Sequence, residues 1–231
     1  MLTGIIGAMA VETDAIKALI EAPTVERVGN IEFVRGYLCG KEVVVAQCGI
    51  GKVFAAICAE AMILKYAPDR IINTGVAGTL SDKVGLLDIA ISSSVVEHDM
   101  DTSPLGDPVG LISGINIVNI PASEQLVSEI CAAADRLGKR HAVGVIASGD
   151  QFIADKAKKD HISNTFSAIA CEMEGAAIGH VCYVNGVDFA VIRAISDNAD
   201  EEAGAMDYPT LCVKAAEQSQ ALLREVLTAT C

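Results

Sequence analysis

The stretch of sequence that decides the fold spans residues 167–200, SAIACEMEGAAIGHVCYVNGVDFAVIRAISDNAD. Its first seven residues are mostly apolar, which favours a short strand. Residues 174–185 carry apolar side chains at helical spacing and end before Gly186, where a helix commonly stops. Residues 187–195 form an apolar, β-branched run of the kind that is buried on both faces of a parallel sheet. The stretch therefore predicts a strand–helix–strand unit of an α/β protein.

Charged residues interrupt this stretch at the edges of its apolar elements. Arg193 lies inside the second strand, and a buried guanidinium requires a carboxylate partner. Glu172 and Glu174, one strand away, are the nearest candidates, and Asp197 follows the second strand. For Arg193 alone, an ion pair that only fixes packing is an equally good explanation, but three carboxylates are more than one Arg needs. Because ligands of α/β sheets bind at the carboxyl ends of strands, this cluster is a candidate ligand site.

Charge and composition restrict the partners. The net charge is -13, which disfavours nucleic acids and anionic membranes, because a surface that binds polyanions is basic. Aromatic residues make up only 4% of the chain, too few for base-stacking platforms. We therefore predict a small-molecule substrate that is neutral or cationic.

The cysteines and the apolar segments predict a cytoplasmic location. None of the eight cysteines forms a CxxC pair, so most are interpreted as small core residues. The N-terminal residues lack the basic region of a secretory signal. The longest uncharged stretch, residues 108–123, is broken by Pro, Gly and polar residues and does not predict a membrane span. We expect a reduced, soluble protein of the cytoplasm.

Residues 1–231 are predicted to form a single α/β domain, because no repeat, low-complexity tract or linker divides them. Residues 53–66 form a helix that is apolar nearly all round, which predicts that it is buried. Residues 70–74 form a strand, and the glycines at 75 and 78 that follow allow the backbone to approach a ligand closely.

Two cofactor signals fail. The GIGK sequence at 49–52 resembles a phosphate-binding loop, but such a loop requires Gly at 46 and Ser or Thr at 53, where this chain has Ala46 and Val53. His98 and the two aspartates beside it lie in a long loop, residues 97–114, without a second group of ligands. We therefore predict neither a metal nor an organic cofactor.

Six short motifs together resemble a known family. In chain order they are GIIGAM with Glu12, GIGK, INTGVAG, SGDQFI, EMEGAA and RAISDNAD. The set resembles the 5′-methylthioadenosine/S-adenosylhomocysteine nucleosidases of the purine nucleoside phosphorylase superfamily. The resemblance implies a three-layer αβα fold around a mixed, partly closed sheet, a homodimer, and hydrolysis of an N-glycosidic bond of thioadenosine nucleosides that releases adenine and a thioribose. Because the loop at 97–114 is long and contains apolar residues, we predict that it lies near the neighbouring subunit's 5′-substituent pocket.

The resemblance assigns two catalytic carboxylates. Asp197 is implied as the general acid at adenine N7, and Glu12 as the base that activates water. The chemistry suits these residue types, because loss of the purine builds positive charge on the sugar and nearby carboxylates stabilise that charge. The purine leaves with a proton, so Asp197 must carry one when the bond breaks.

The resemblance also assigns substrate-binding residues. Met173 and Glu174 would hold the ribose, Phe152 and Ile153 the adenine, and Arg193 would orient Glu174 and the water. The full set is Gly78, Phe152, Ile153, Met173, Glu174, Arg193 and Ser196. The chain departs from the family at Val76, where Ser is frequent, and at residues 206–209, so the preference among 5′-substituents stays open.

Three alternatives remain on the same fold. A nucleoside phosphorylase would need phosphate-binding arginines, which this chain lacks after its first strand and at residues 72–74 before Gly75, and Glu12 would repel phosphate. A futalosine-type nucleosidase is compatible with the same motifs. A non-catalytic nucleoside sensor would have no use for an acid and a base together.

Overall fold

The computed structural model describes residues 1–199 and 208–229. The departure noted at Met206 and Asp207 therefore lies outside the described residues. Ten strands are described: β1 Leu2–Gly7, β2 Glu21–Val28, β3 Ile31–Leu38, β4 Lys41–Gln47, β5 Arg70–Thr79, β6 Ile89–Glu97, β7 Ile120–Pro121, β8 His141–Ser148, β9 Ala168–Glu172 and β10 Asp188–Asp197. Six α-helices are described: α1 Ala10–Lys17, α2 Lys52–Tyr66, α3 Glu124–Arg136, α4 Lys156–Phe166, α5 Gly175–Asn185 and α6 Tyr208–Ala229. Within the described ranges, none of these helices is both long and apolar enough to cross a membrane.

All ten strands belong to one mixed sheet that closes on itself at one end. Nine strands follow the order β10-β6-β8-β9-β5-β1-β4-β3-β2, and β7 pairs with β6 beside this path. Strand β10 pairs with β5 as well as with β6. The second pairing closes a ring of five strands, β5, β10, β6, β8 and β9. The pairs β5–β10 and β8–β9 are parallel, whereas β10–β6 and β5–β9 are antiparallel. The predicted mixed, partly closed sheet is therefore confirmed.

Helices cover the sheet on both faces. Along β1, Ile6 packs in a core with residues of α2 and α5, whereas its neighbour Ile5 packs in a second core with residues of α1, α3 and α6. Alternate side chains of a strand point to opposite faces, so an apolar strand such as β1 contributes to both cores. This arrangement is the predicted three-layer αβα fold.

Helix α2 is not buried all round, so that prediction is wrong. Ala55 and Met62 lie in the core, but Val53, Phe54 and Ile57 are more than half exposed. An apolar helix is buried only where another element covers it, and here α5 and the sheet cover a single face, which carries Ala55, Cys58, Ala59 and Met62.

Strand β2 and helix α4 are among the elements that were not predicted from the sequence. Strand β2 is exposed along nearly its whole length and lies at the sheet edge, so it lacks the alternation that marks a half-buried strand. Helix α4 begins with a polar, lysine-rich turn that has no apolar periodicity, and Asp155 caps it by accepting a hydrogen bond from the Lys158 amide at 2.8 Å.

Candidate active site

A cavity of about 110 Å³ lies at the carboxyl ends of β1, β5, β9 and β10. It is lined by seven of the nine predicted site residues, namely Glu12, Gly78, Phe152, Met173, Glu174, Ser196 and Asp197. Ile153 lines a smaller adjoining cavity together with Gly78, Phe152 and Asp197. Arg193 is fully buried behind the wall. The structure thus brings together residues that are far apart in the sequence.

Glu12 lies in the first turn of α1 and is held by three backbone amides. Its Oε2 accepts hydrogen bonds from the N–H groups of Ala8 at 2.7 Å and Met9 at 2.9 Å, and its Oε1 accepts one from Val76 at 3.1 Å. An ionised carboxylate offers about four acceptor positions. One position on Oε1 is therefore left for a further donor, such as a water molecule.

Asp197 ends β10, where a register shift follows Ile195. Such an irregularity re-aims side chains, and here both Ser196 and Asp197 line the cavity. Asp197 Oδ2 accepts a hydrogen bond from Ser196 Oγ at 2.9 Å, and Oδ1 accepts one from the Ala199 amide at 2.9 Å. The carboxyl group is buried and has a fixed orientation.

The predicted partner of Arg193 is present, and it is primarily Glu172. The guanidinium Nη2 donates to Glu172 Oε2 and, at 2.6 Å, to Asn73 Oδ1, whereas Glu174 Oε2 lies 3.6 Å away. Glu172 also accepts hydrogen bonds from the amides of Glu174 and Gly175 at 2.8–3.0 Å. It therefore neutralises Arg193 and caps the start of α5, which leaves Glu174 facing the cavity.

Glu174 is a buried carboxylate that lies beside a second one, Glu172. Burial, and then the negative charge of Glu172, raises its pKa to about 7, although Arg193 and the amide of Gly51 act in the opposite direction. The amide of Gly51 donates to Glu174 Oε1 at 2.9 Å, across 123 residues of sequence. A buried carboxylate of this kind is typical of a functional site.

The two glycines predicted to follow β5 lie inside it, so the predicted end of this strand is wrong. A Cβ atom at Gly75 would meet Arg193 Nη1 and would lie 2.5 Å from Glu12 Oε1. A Cβ at Gly78 would lie 2.6 Å from Asp197 Oδ1. The glycines let the strand lie close to the side chains of the site itself. The prediction from the sequence was that they let the backbone approach a ligand.

Some residues of the site were not predicted. Ile50 lines the cavity, and the amide of its neighbour Gly51 holds Glu174. Both residues belong to the GIGK sequence at 49–52, which is one of the six family motifs but was not assigned to the site. Ser148 donates to Glu172 and accepts a hydrogen bond from the amide of Ala176 at 2.6 Å. Across the described residues, no three His, Cys, Asp or Glu side chains are grouped to hold a metal ion.

The fold and the site define a member of the phosphorylase superfamily, which the chain matches over residues 3–228. A relative from Shewanella halifaxensis, a 5′-methylthioadenosine/S-adenosylhomocysteine nucleosidase, is 42% identical over 98% of this chain and 99% of its own. The chain therefore belongs to the 5′-methylthioadenosine/S-adenosylhomocysteine nucleosidase family, whose members are N-glycosyl hydrolases.

Solved structures agree with this assignment. The nucleosidase of Neisseria meningitidis in complex with methylthio-immucillin-A has a TM-score of 0.94 and 31% identity, with 99% of each chain covered. The futalosine hydrolase of Helicobacter pylori has a TM-score of 0.92 and 35% identity, covering 98% of this chain and 97% of its own. The comparisons thus include two nucleoside hydrolases with different named substrates.

Proposed function

We propose that this protein hydrolyses the N-glycosidic bond of 5′-methylthioadenosine and S-adenosylhomocysteine, releasing adenine and a thioribose. One observation carries the proposal: the carboxylates of Glu12, Glu174 and Asp197 line a single cavity in a chain that is 42% identical to a nucleosidase with these substrates. The match covers 98% of this chain and 99% of the relative, which supports assigning the same substrates to both proteins.

Asp197 is proposed as the general acid that protonates adenine N7. The hydroxyl of Ser196 has two acceptors within reach, Asp197 Oδ2 at 2.9 Å and the Ala77 carbonyl at 3.4 Å. While Asp197 is protonated and presents its proton to N7, Ser196 can donate to the Ala77 carbonyl instead. When Asp197 is ionised after transfer, Ser196 can donate to it. Ser196 therefore suits both protonation states of the acid.

Glu12 is proposed to activate the water that attacks the sugar. Its orientation is fixed by three amide hydrogen bonds, and the remaining acceptor position on Oε1 can take a water proton. The position next to this oxygen is occupied by Val76, whose side chain has no hydroxyl to offer the water. Glu12 must therefore orient the water without a hydroxyl at this position.

Glu174 is proposed to accept hydrogen bonds from the ribose hydroxyls, with Met173 beside it. As the bond to adenine breaks, positive charge develops on the sugar, and the attraction to an ionised Glu174 strengthens in a buried site. Binding that is stronger in the transition state than in the ground state increases kcat.

Hydrolysis is favoured over phosphorolysis by the charge of the cavity. The described lining contains Glu12, Glu172, Glu174 and Asp197 but neither Lys nor Arg. Arg193 is engaged by Glu172 and Asn73 and does not line the cavity. A phosphate ion would therefore meet repulsion rather than a binding site. The same acid and base argue against a non-catalytic sensor.

Futalosine hydrolysis is the second candidate, because a futalosine hydrolase is among the structures of the same fold at 35% identity. The substrate is decided by incubating the protein with 5′-methylthioadenosine, S-adenosylhomocysteine, 5′-methylthioinosine and futalosine, with and without phosphate. We expect phosphate-independent release of adenine. Strict phosphate dependence, or turnover of futalosine alone, would refute the proposal.

Adenine is proposed to be recognised at Phe152 and Ile153. A backbone carbonyl at Ile153 would accept from the 6-amino group but would face the 6-oxygen of hypoxanthine. An unpaired buried polar group costs roughly 1–3 kcal/mol, so we expect a preference for 5′-methylthioadenosine over 5′-methylthioinosine of about tenfold or more. Equal kcat/KM values would contradict this contact.

We also propose a homodimer of single-domain subunits, located in the cytoplasm. Support for dimerisation comes from an apolar surface on α2 and α5, where Val53, Phe54, Ile57 and Val184 are 54–69% exposed. In the loop at 97–114, Leu105 is 84% exposed and available for the same interface, whereas Ile112 is buried. A single domain is supported by the one sheet that all ten strands share.

The dimer predicts a specific mutational effect. Ile57→Asp places a charge on the α2–α5 surface and is expected to convert dimers to monomers in light scattering. Leu19→Asp, at a half-exposed apolar residue after α1, is the matched control and should leave the mass unchanged. A wild-type protein that is monomeric and fully active would refute the dimer.

A further inference from the structure

A cluster of charged side chains lies next to the active site and has no part in the proposed chemistry. Lys52 Nζ lies 3.0 Å from Glu97 Oε2 and 2.6 Å from Asp99 Oδ1. These three side chains are only 13–22% exposed, so the ion pairs are less screened by solvent than surface pairs. His180 Nδ1 lies 3.1 Å from the other oxygen of Glu97.

The cluster joins segments that build the cavity. Asp99 Oδ2 accepts a hydrogen bond from the amide of Asp150 at 2.9 Å, and Asp150 Oδ1 accepts one from the amide of Lys52 at 2.8 Å. Residue 150 lies two positions before Phe152. Lys52 is thus connected through both its side chain and its backbone to the loop that carries the residues proposed to bind adenine.

The same cluster is connected to Glu174 from two directions. The residue before Lys52, Gly51, donates its amide to Glu174 Oε1 at 2.9 Å. His180, which contacts Glu97, lies on α5, and Glu174 is the residue from which this helix starts. A displacement of the 51–52 backbone would therefore alter the position of the Glu174 carboxylate.

We propose that Lys52 is a positioning residue for ribose recognition, which holds the Gly51 amide against Glu174 and the 150–153 loop against the cavity. The proposal rests on the proposed function of Glu174. Lys52 itself touches neither the cavity nor the reacting atoms.

The ammonium group is required because it separates two carboxylates. Without it, Glu97 and Asp99 would face the same partly buried space with like charges. Burial disfavours the charged form of Lys52, but its hydrogen bonds with Asp99 and Glu97 and their negative charges outweigh burial and raise its pKa. The group therefore stays positively charged over the pH range in which the enzyme is assayed.

The first test compares substrates that differ only in what Glu174 can bind. Lys52→Met removes the charge and keeps most of the stem. Lys65→Met is the matched control, because Lys65 lies on the same helix and pairs with Glu26 at 3.2 Å, away from the cavity. We expect Lys52→Met to lower kcat/KM for 5′-methylthioadenosine roughly 10- to 100-fold, because a binding group is then misplaced. The loss should be much smaller for the 2′-deoxy analogue, which lacks one of the hydroxyls that Glu174 is proposed to bind.

The outcomes of this test are decisive. A general loss of structure would lower kcat/KM equally for both substrates, so equal losses would overturn the proposal. An unchanged kcat/KM for 5′-methylthioadenosine would also overturn it. Lys52→Arg keeps the charge and is expected to recover part of the discrimination. Asp99→Asn weakens one ion pair without changing the shape of the side chain. It should change the ratio of kcat/KM between the two substrates in the same direction as Lys52→Met, but by a smaller factor. It serves as the second variant if Lys52→Met does not fold.

A second measurement does not depend on turnover. Hydrogen exchange of the Gly51 amide, corrected for intrinsic rates, should accelerate in Lys52→Met and stay unchanged in Lys65→Met. Unchanged exchange in Lys52→Met would overturn the proposal. If the wild-type protein cleaves no thioadenosine, the proposed function fails, and the exchange rate alone then decides whether Lys52 holds Gly51.

Discussion

Replacement of Glu174 by Gln is expected to change how the stability of the protein depends on pH. The pKa of Glu174 is raised from its ordinary value of 4.5 to about 7 by burial and by the charge of Glu172. The folded state therefore binds this proton more tightly than the unfolded state does. Its contribution to the free energy of unfolding is fully present below about pH 4.5 and is lost as the pH rises through about 7.

The size of the effect follows from the same values. One pH unit corresponds to about 1.4 kcal/mol, so the difference between 4.5 and about 7 corresponds to roughly 3 kcal/mol at most. Because Glu172 and Arg193 share the same buried space with Glu174, we expect about 1–3 kcal/mol. Gln keeps the shape and can accept the hydrogen bond from Gly51, but it cannot ionise. The free energy of unfolding of the variant, minus that of the wild type, should therefore be larger at pH 8 than at pH 5 by this amount.

The assay is urea unfolding followed by circular dichroism at pH 5 and pH 8, at one fixed protein concentration. Glu21→Gln, at an exposed carboxylate on β2, controls for the removal of one negative charge. If the difference in unfolding free energy between Glu174→Gln and the wild type is the same at both pH values, the argument from burial is wrong. The variant should also show a lower kcat and a higher KM, because Glu174 is proposed to bind the ribose in both ground and transition states.

Two further substitutions test the site. Asp197→Asn should reduce kcat by at least ~10²-fold while leaving the circular dichroism spectrum unchanged, and a kcat close to that of the wild type would rule out Asp197 as the general acid. Gly75→Ala should lower both the melting temperature and the activity, because its Cβ would lie 2.5 Å from Glu12 Oε1. Gly114→Ala is the control, since nothing lies within 4 Å of a Cβ there, and equal effects of the two changes would disprove the steric argument.

The sequence by itself determined the fold class and pointed to a candidate site. Its apolar runs and helical periodicity predict alternating strands and helices, and the strand ends place Glu172, Glu174 and Asp197 at one edge of the sheet. The cost of a buried charge requires a carboxylate partner for Arg193, which the structure confirms. These inferences succeed because they depend on local pattern and on the energetics of single residues.

Only the tertiary structure decided which groups pair and which surfaces stay exposed. Two carboxylates were available to Arg193, and packing at the start of α5 assigns the close contact to Glu172 and leaves Glu174 to the cavity. The exposed face of α2 could not be predicted, because it depends on which elements cover the helix. The hydrogen bond from Gly51 to Glu174 spans 123 residues and leaves no periodic signal in either segment. Such contacts form only when the sheet closes and brings β5, β9 and β10 together, so no local pattern records them.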